Sequence, residues 1–207
     1  MMKISLSDAG KRFNRDWIFR RFNYSFEPGN AYAITGANGS GKSTLLQVIA
    51  GAMTLSAGSI EFRIDNRSID QDLAFRSVSM AAPYMELIEE MSAIEFLEFH
   101  SKFKPFLPGK TVIGILNEVQ LTSASKKQIR YYSSGMKQRV KLAQAIFSAT
   151  SCLLLDEPCT NLDVEGINLY KHLVESYTRD RMLIVSSNDI QEYSFCNQVI
   201  AIEQFKN

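Results

Sequence analysis

Cysteine is scarce in this chain of 207 residues, with only Cys152, Cys159 and Cys196. They form no C-x-x-C pair and leave an odd thiol, which excludes the disulfide framework of a small secreted domain and makes a reducing compartment the expectation. An excess of either charge is also missing, because 23 Lys and Arg stand against 22 Asp and Glu. Binding to a polyanion needs a concentrated basic surplus, so nucleic acid is not an expected partner. No run of 18 or more apolar residues occurs, and the opening MMKISLSDAGKRF holds no sustained apolar stretch, so neither a membrane helix nor a leader of that kind is expected. Solenoid repeats, low-complexity tracts and long linkers are absent too. What remains, 45% hydrophobic and 22% charged, is the composition of one globular domain.

Short β-type runs punctuate the chain at Ala31–Thr35, Val78–Met80, Leu153–Leu155, Met182–Ser186 and Gln198–Ile202, interleaved with helical patterns. That alternation predicts an α/β fold. Runs such as Cys152-Leu153-Leu154-Leu155 and Met182-Leu183-Ile184-Val185 suit strands covered on both faces, as in a mostly parallel sheet flanked by helices. Between Pro83 and Thr150 the β runs vanish and helical stretches take over, at Ala93–Lys102, Val112–Val119 and Met136–Phe147. We read a single domain, 1–207, in which a helical subdomain, 83–150, interrupts a sheet-bearing core, 1–82 and 151–207.

Gly36-Ala37-Asn38-Gly39-Ser40-Gly41-Lys42-Ser43-Thr44 follows one apolar run and precedes Leu45-Leu46-Gln47-Val48-Ile49, giving strand, glycine loop and helix. This is a phosphate-binding loop in the context it requires. Its glycines let successive N–H groups point inward, Lys42 adds positive charge for the β- and γ-phosphates, and the helix N-terminus contributes a favourable dipole. The Ser43 hydroxyl is then placed to ligate Mg²⁺. Downstream, Cys152–Leu155 ends in Asp156 and Glu157, where Asp156 is suited to hold Mg²⁺ and Glu157 to polarise an attacking water. No Asn-Lys-x-Asp guanine-reading segment accompanies them.

Tyr132-Ser133-Ser134-Gly135-Met136-Lys137-Gln138-Arg139, ahead of the acidic strand end, resembles the LSGGQ signature of the ATP-binding-cassette (ABC) ATPases. Thr160-Asn161-Leu162-Asp163 resembles that family's D-loop, and Lys11-Arg12-Phe13 its adenine-stacking aromatic segment. The likeness spans nearly the whole chain. It implies a phosphate-loop core with a mostly parallel sheet, a small antiparallel β subdomain and an inserted helical subdomain. It also implies ATP and Mg²⁺ as cofactors, with ATP held between the phosphate loop of one cassette and Ser133, Ser134, Gly135 and Asp163 of another. Physics supports that role for the signature, because Ser133 and Ser134 sit where they can cap the helix that follows and turn its dipole toward a phosphate. From Val119 to Leu155 there is no acid against six Lys and Arg. One chain carries one phosphate loop and one signature, so a complete site needs a second cassette, expected as a homodimer.

The chain departs from the family in three places. Where the family has a glutamine near the metal, Ala82 or Pro83 stands here, and neither can ligate. Where it has a switch histidine, this chain has Asn188, which can donate to phosphate but carries no charge and shuttles no proton. YSSGM also replaces the usual Leu, first Gly and Gln. These changes predict a working but slow ATPase, with a nucleotide-gated clamp that turns over little as the alternative. In the family such a subunit sits on the cytoplasmic face of the membrane and drives a separate permease. Its docking region maps to Tyr84–Phe103, where Glu86, Glu89, Glu90, Glu95 and Glu98 surround apolar residues, an expected acidic rim for a basic permease loop. Trp17 is expected to be a core aromatic.

Overall fold

A computed structural model describes residues 1–206. Its first strand, β1 (Met2–Phe13), buries Met2, Ile4 and Leu6 while the alternate Lys3, Ser5 and Ser7 stay nearer the surface, the period-2 pattern of a strand with one covered face. Asn14 takes a left-handed φ of 53° and turns the chain into β2 (Asp16–Phe26), whose Phe19, Phe22 and Phe26 are fully buried. β3 (Ala31–Thr35) and α1 (Lys42–Ile49) follow, and then β4 (Ala57–Ile64) and β5 (Arg67–Ile69). The four antiparallel strands lie in the order β2-β1-β4-β5.

A second sheet begins its other edge with β6 (Val78–Ala81). Only helices and turns separate it from its neighbour: α2 (Ala93–Ser101), α3 (Val112–Glu118) and α4 (Ser134–Ile146). After β7 (Cys152–Asp156) come α5 (Val164–Tyr177), β8 (Met182–Ser186), α6 (Ile190–Tyr193) and β9 (Gln198–Ala201). These five strands are all parallel, in the order β6-β7-β8-β3-β9. Both faces are covered, and the side chains sort by parity. Leu153, Leu155, Leu183 and Val185 join the core formed with α2 to α5. Cys152, Leu154, Met182, Ile184, Tyr32 and Ile34 join the core formed with α1 and the antiparallel sheet. Unbroken apolar runs are what such doubly covered strands require.

Some boundaries move. Ile202 does not extend β9; fully buried, it opens a 3₁₀ turn, Ile202–Phe205. α4 starts at Ser134, two positions before Met136, because Ser133 rather than Ser134 takes the extended capping conformation, φ −64° and ψ 162°. Trp17 is not a core residue: it is partly exposed on the β1–β2 hairpin, with the Arg12 guanidinium 5.5 Å from its ring. At the far end of α4, buried Arg181 donates to the carbonyl of Ile146 at 2.6 Å, to Thr150 Oγ1 at 2.8 Å and to Ser79 Oγ at 3.1 Å. One guanidinium thus joins α4 to β6 and to the start of β7. No helix among the described residues is long and apolar enough to cross a membrane.

Candidate nucleotide site

β3 and β8 pair in register, Ile34 beside Ser186, so the loops that leave their C-terminal ends emerge together. The first is 36–41, which runs into α1. Gly36, Gly39 and Gly41 all take positive φ, at 147°, 75° and 105°. Gly41 is constrained twice over, since a β-carbon there would also come within 2.3 Å of Ile18 Cγ2. Lys42 is buried, and its ammonium lies back across the loop, donating to the Gly36 carbonyl at 2.6 Å and the Ala37 carbonyl at 3.3 Å. Asn38, Gly39, Ser40, Gly41, Lys42, Ser43 and Thr44 line a cavity of about 210 Å³ together with Ile18 and Glu157.

Asp156 ends β7, beside Ser186 of β8. It is 1% exposed, and neither carboxylate oxygen has a hydrogen-bond partner. A buried carboxylate without a donor is costly, and its chemistry suits a hard cation with oxygen ligands. Ser43, the other residue expected to ligate the ion, lines the phosphate-loop cavity. No cluster of three or more His, Cys, Asp or Glu suited to a metal occurs among the described residues. Glu157 lies just past the strand in a left-handed turn, φ 43°, its N–H donating to the Ser186 carbonyl at 2.9 Å. The strained turn carries its side chain away from the strand and to the phosphate-loop cavity.

Asn188 reaches the same loop from β8. Its Oδ1 accepts from the Gly36 N–H at 3.0 Å, and its Nδ2 donates to Asn38 Oδ1 at 3.4 Å. Phe13, at the end of β1, is 47% exposed, with Lys11 Nζ 5.2 Å from the ring centroid, so it presents an open aromatic face outside the 210 Å³ cavity.

The signature lies elsewhere. Ser133 caps α4, its Oγ accepting from the Met136 N–H at 3.2 Å, and Ser134 is the first helical residue. Gly135 packs so closely that a β-carbon would come 3.0 Å from the Asn161 carbonyl. Asp163 caps α5, accepting from the Gly166 N–H at 2.8 Å, and Arg139 Nη2 lies 3.6 Å from it. Ser133, Ser134, Gly135, Arg139, Asn161 and Asp163 share a cavity of about 460 Å³ that has no lining residue in common with the phosphate-loop cavity.

A family model described as "ABC transporter" matches residues 19–160. The chain belongs to the ABC transporter family. Among its relatives, it is 30% identical over 203 residues to the Uncharacterized ABC transporter ATP-binding protein YybJ of Bacillus subtilis (strain 168), covering 97% of this chain and 91% of that one. It is 28% identical over 187 residues to the Lantibiotic transport ATP-binding protein SrtF of Streptococcus pyogenes, covering 90% and 80%. In fold it resembles the dimeric post-hydrolysis structure of the ATP-binding cassette MJ0796 bound to ADP and Pi, with a TM-score of 0.79, 22% identity and coverage of 96% and 94%. This ABC chain therefore has a cassette fold of parallel sheet, antiparallel sheet and helices.

Several contacts at the site carry no sequence signal. Gln138 of α4 is buried and donates to the Pro158 carbonyl at 2.8 Å, linking the signature helix to the residue after Glu157. Glu192 of α6 is also buried; its Oε1 accepts from the Cys159 N–H at 2.7 Å, and its Oε2 has no partner. Burial pushes the Glu192 carboxyl above the usual carboxylate range, against the lowering effect of hydrogen bonds from Ser187 and Cys159. Ile18 and Glu203 touch the phosphate loop from distant elements.

The five glutamates of the expected acidic rim all stay at the surface, and three of them are engaged within the chain. Glu89 pairs with Lys137, Glu90 lies 3.3 Å from Arg130, and Glu95 completes the capping box of α2 with Ser92. Tyr84, Ile88, Phe99 and Phe103 remain exposed. Burial raises the Tyr84 hydroxyl to about 12, with a hydrogen bond from Gln47 opposing and the Asp156 charge adding.

Proposed function

We propose that this chain is the ATP-binding and ATP-hydrolysing subunit of an ABC transporter, working as a homodimer of cassettes of 1–207 that close on ATP and drive a separate permease. The separation of its two cavities supports the pairing. The signature sits in a cavity of its own, away from the phosphate loop, so a second copy is needed to bring Ser133, Ser134 and Gly135 against a phosphate. The names of its relatives support transport.

In this reading the loop N–H groups and Lys42 hold the phosphates, and Phe13 offers its open face to the base. Asp156 and Ser43 would hold Mg²⁺, which would supply positive charge to offset that of the phosphates. Glu157 orients and polarises the attacking water. Asn188 steadies the loop and donates to phosphate without moving a proton, so turnover is slow relative to a site with an acid–base group there. The docking region, Tyr84–Phe103, supports a permease contact through its exposed aromatics. Beside it, a groove of about 330 Å³ is lined by Met80, Met85, His100, Phe103 and Gln144. In this reading the chain works on the cytoplasmic face of a membrane.

The test is Mg²⁺-dependent phosphate release by the purified chain, with its mass followed by light scattering. We expect turnover and an ATP-dependent doubling of mass. Nucleotide binding and dimerisation without turnover would instead favour the clamp, and no nucleotide binding would overturn both.

A further inference from the structure

The turn after β9 grips the phosphate loop at both ends. β9 lies beside β3 in register, Thr35 opposite Ala201, so Ile202–Phe205 comes off the sheet where the loop begins. Ile202 Cδ1 would stand 3.6 Å from a β-carbon on Gly41, at the loop's far end. Phe205 fixes the turn from below, its ring 4.4 Å from that of Phe22 in the antiparallel sheet. Between them, Glu203 Oε1 accepts from the Ala37 N–H at 2.6 Å. A β-carbon on Gly36 would meet both of its carboxylate oxygens, at 2.7 and 2.8 Å.

This places a carboxylate on a loop whose expected ligand is a polyanion. Lys42 donates to the carbonyls of the same two residues, Gly36 and Ala37, so cation and carboxylate meet the loop at one point. The Ala37 N–H, the Glu203 N–H and the nearby charges of Lys206 and Lys42 hold the Glu203 carboxyl below the usual carboxylate range. It stays charged at neutral pH.

Resting on the nucleotide-binding reading above, we propose that Glu203 is a resident anion of the phosphate loop, which sets the loop's first peptides while opposing the incoming phosphates and so weakens affinity for nucleotide. Neutralising it without losing the acceptor should tighten binding. At low ionic strength a single charge close to the phosphates is worth about 3- to 10-fold, more for ATP than for ADP, and salt at about 1 M largely removes it.

The experiment measures dissociation constants of fluorescent ATP and ADP analogues on the full chain, for wild type, Glu203→Gln and Glu203→Lys, at low and high salt. Melting temperature is recorded for each. Charge opposition predicts the affinity order Lys over Gln over wild type, with the gaps closing in salt. The reverse order, or no difference at low salt, makes Glu203 a structural clamp on Ala37 and overturns the proposal. Because Lys cannot accept from Ala37, its rank separates charge from hydrogen bonding even if it lowers the melting temperature. Wild type failing to bind either analogue would overturn the nucleotide reading itself, and the resident-anion proposal with it.

Discussion

The phosphate loop and the start of α4, the two places proposed to meet phosphate, are finished to different degrees. Around the loop, partners come from everywhere in the chain: Ile18 from β2, Glu157 after β7, Asn188 after β8 and Glu203 after β9. The α4 end has its cap, Ser133, with Arg139, the 120–124 segment and the turn at Asn161–Asp163 beside it. One half is self-sufficient and the other is a surface awaiting a counterpart. On the proposed reading, energy from nucleotide would be expressed as association between chains, since only closure would supply the second half.

Variants of the two halves should behave differently. The largest effect is expected from Glu157→Gln, which should cut turnover by about 10²- to 10⁴-fold while leaving ATP bound and the dimer accumulated. Phosphate release and size-exclusion chromatography with ATP check it; unchanged turnover would remove Glu157 from its role. Next, Gly41→Ala forces a β-carbon onto Ile18 at φ 105°, so we expect about 1–3 kcal/mol of destabilisation and loss of nucleotide binding. Thermal melting and nucleotide titration report both, and the added variant Ile18→Ala should recover part of the stability.

On the other half, Ser133→Ala should cost about 1 kcal/mol through the lost cap. Nucleotide affinity of the monomer should stay at the wild-type value, while dimer formation and turnover fall severalfold. A matching loss of monomer affinity would show that the halves are not separate. The smallest effect belongs to a site remote from both. His100 is held near 4 rather than 6.5, chiefly by burial and then by the Lys104 charge, against the Gln144 carbonyl. Its folded value is depressed, so the unfolded chain takes up the proton first. Stability it contributes is present above about pH 6.5 and lost as pH falls toward 4. Denaturant melts of wild type and His100→Gln across that window should show a shallower slope for the variant.

Much of the core was legible because doubly covered strands must be apolar throughout: Ala31–Thr35 and Met182–Ser186 are observed with the boundaries read from sequence. The phosphate loop was legible because glycine spacing follows directly from its backbone. Glu203 was not, since it meets Ala37 from 166 residues away and is, along the chain, one more polar residue after a strand. Gln138 and Glu192 are hidden for the same reason: their burial comes from the packing of helices, not from their neighbours in sequence. Division of labour between Ser133 and Ser134 depends on a single ψ angle, which two adjacent serines do not reveal. The pairing of Glu89 and Glu90 was not legible because their cations, Lys137 and Arg130, lie on a later segment.

Arg181 gives α4 a fulcrum. With its C-terminal carbonyl pinned to the base of the sheet, this helix of 13 residues is a lever about 20 Å long whose tip is Ser133, and the Gln138 bond to the Pro158 carbonyl tethers that end. A swing of about 10° at the pinned end moves that tip by about 3 Å, the scale of a hydrogen bond made or broken. The buried guanidinium, at the opposite end of α4 from Ser133, fixes the point about which such a swing would turn.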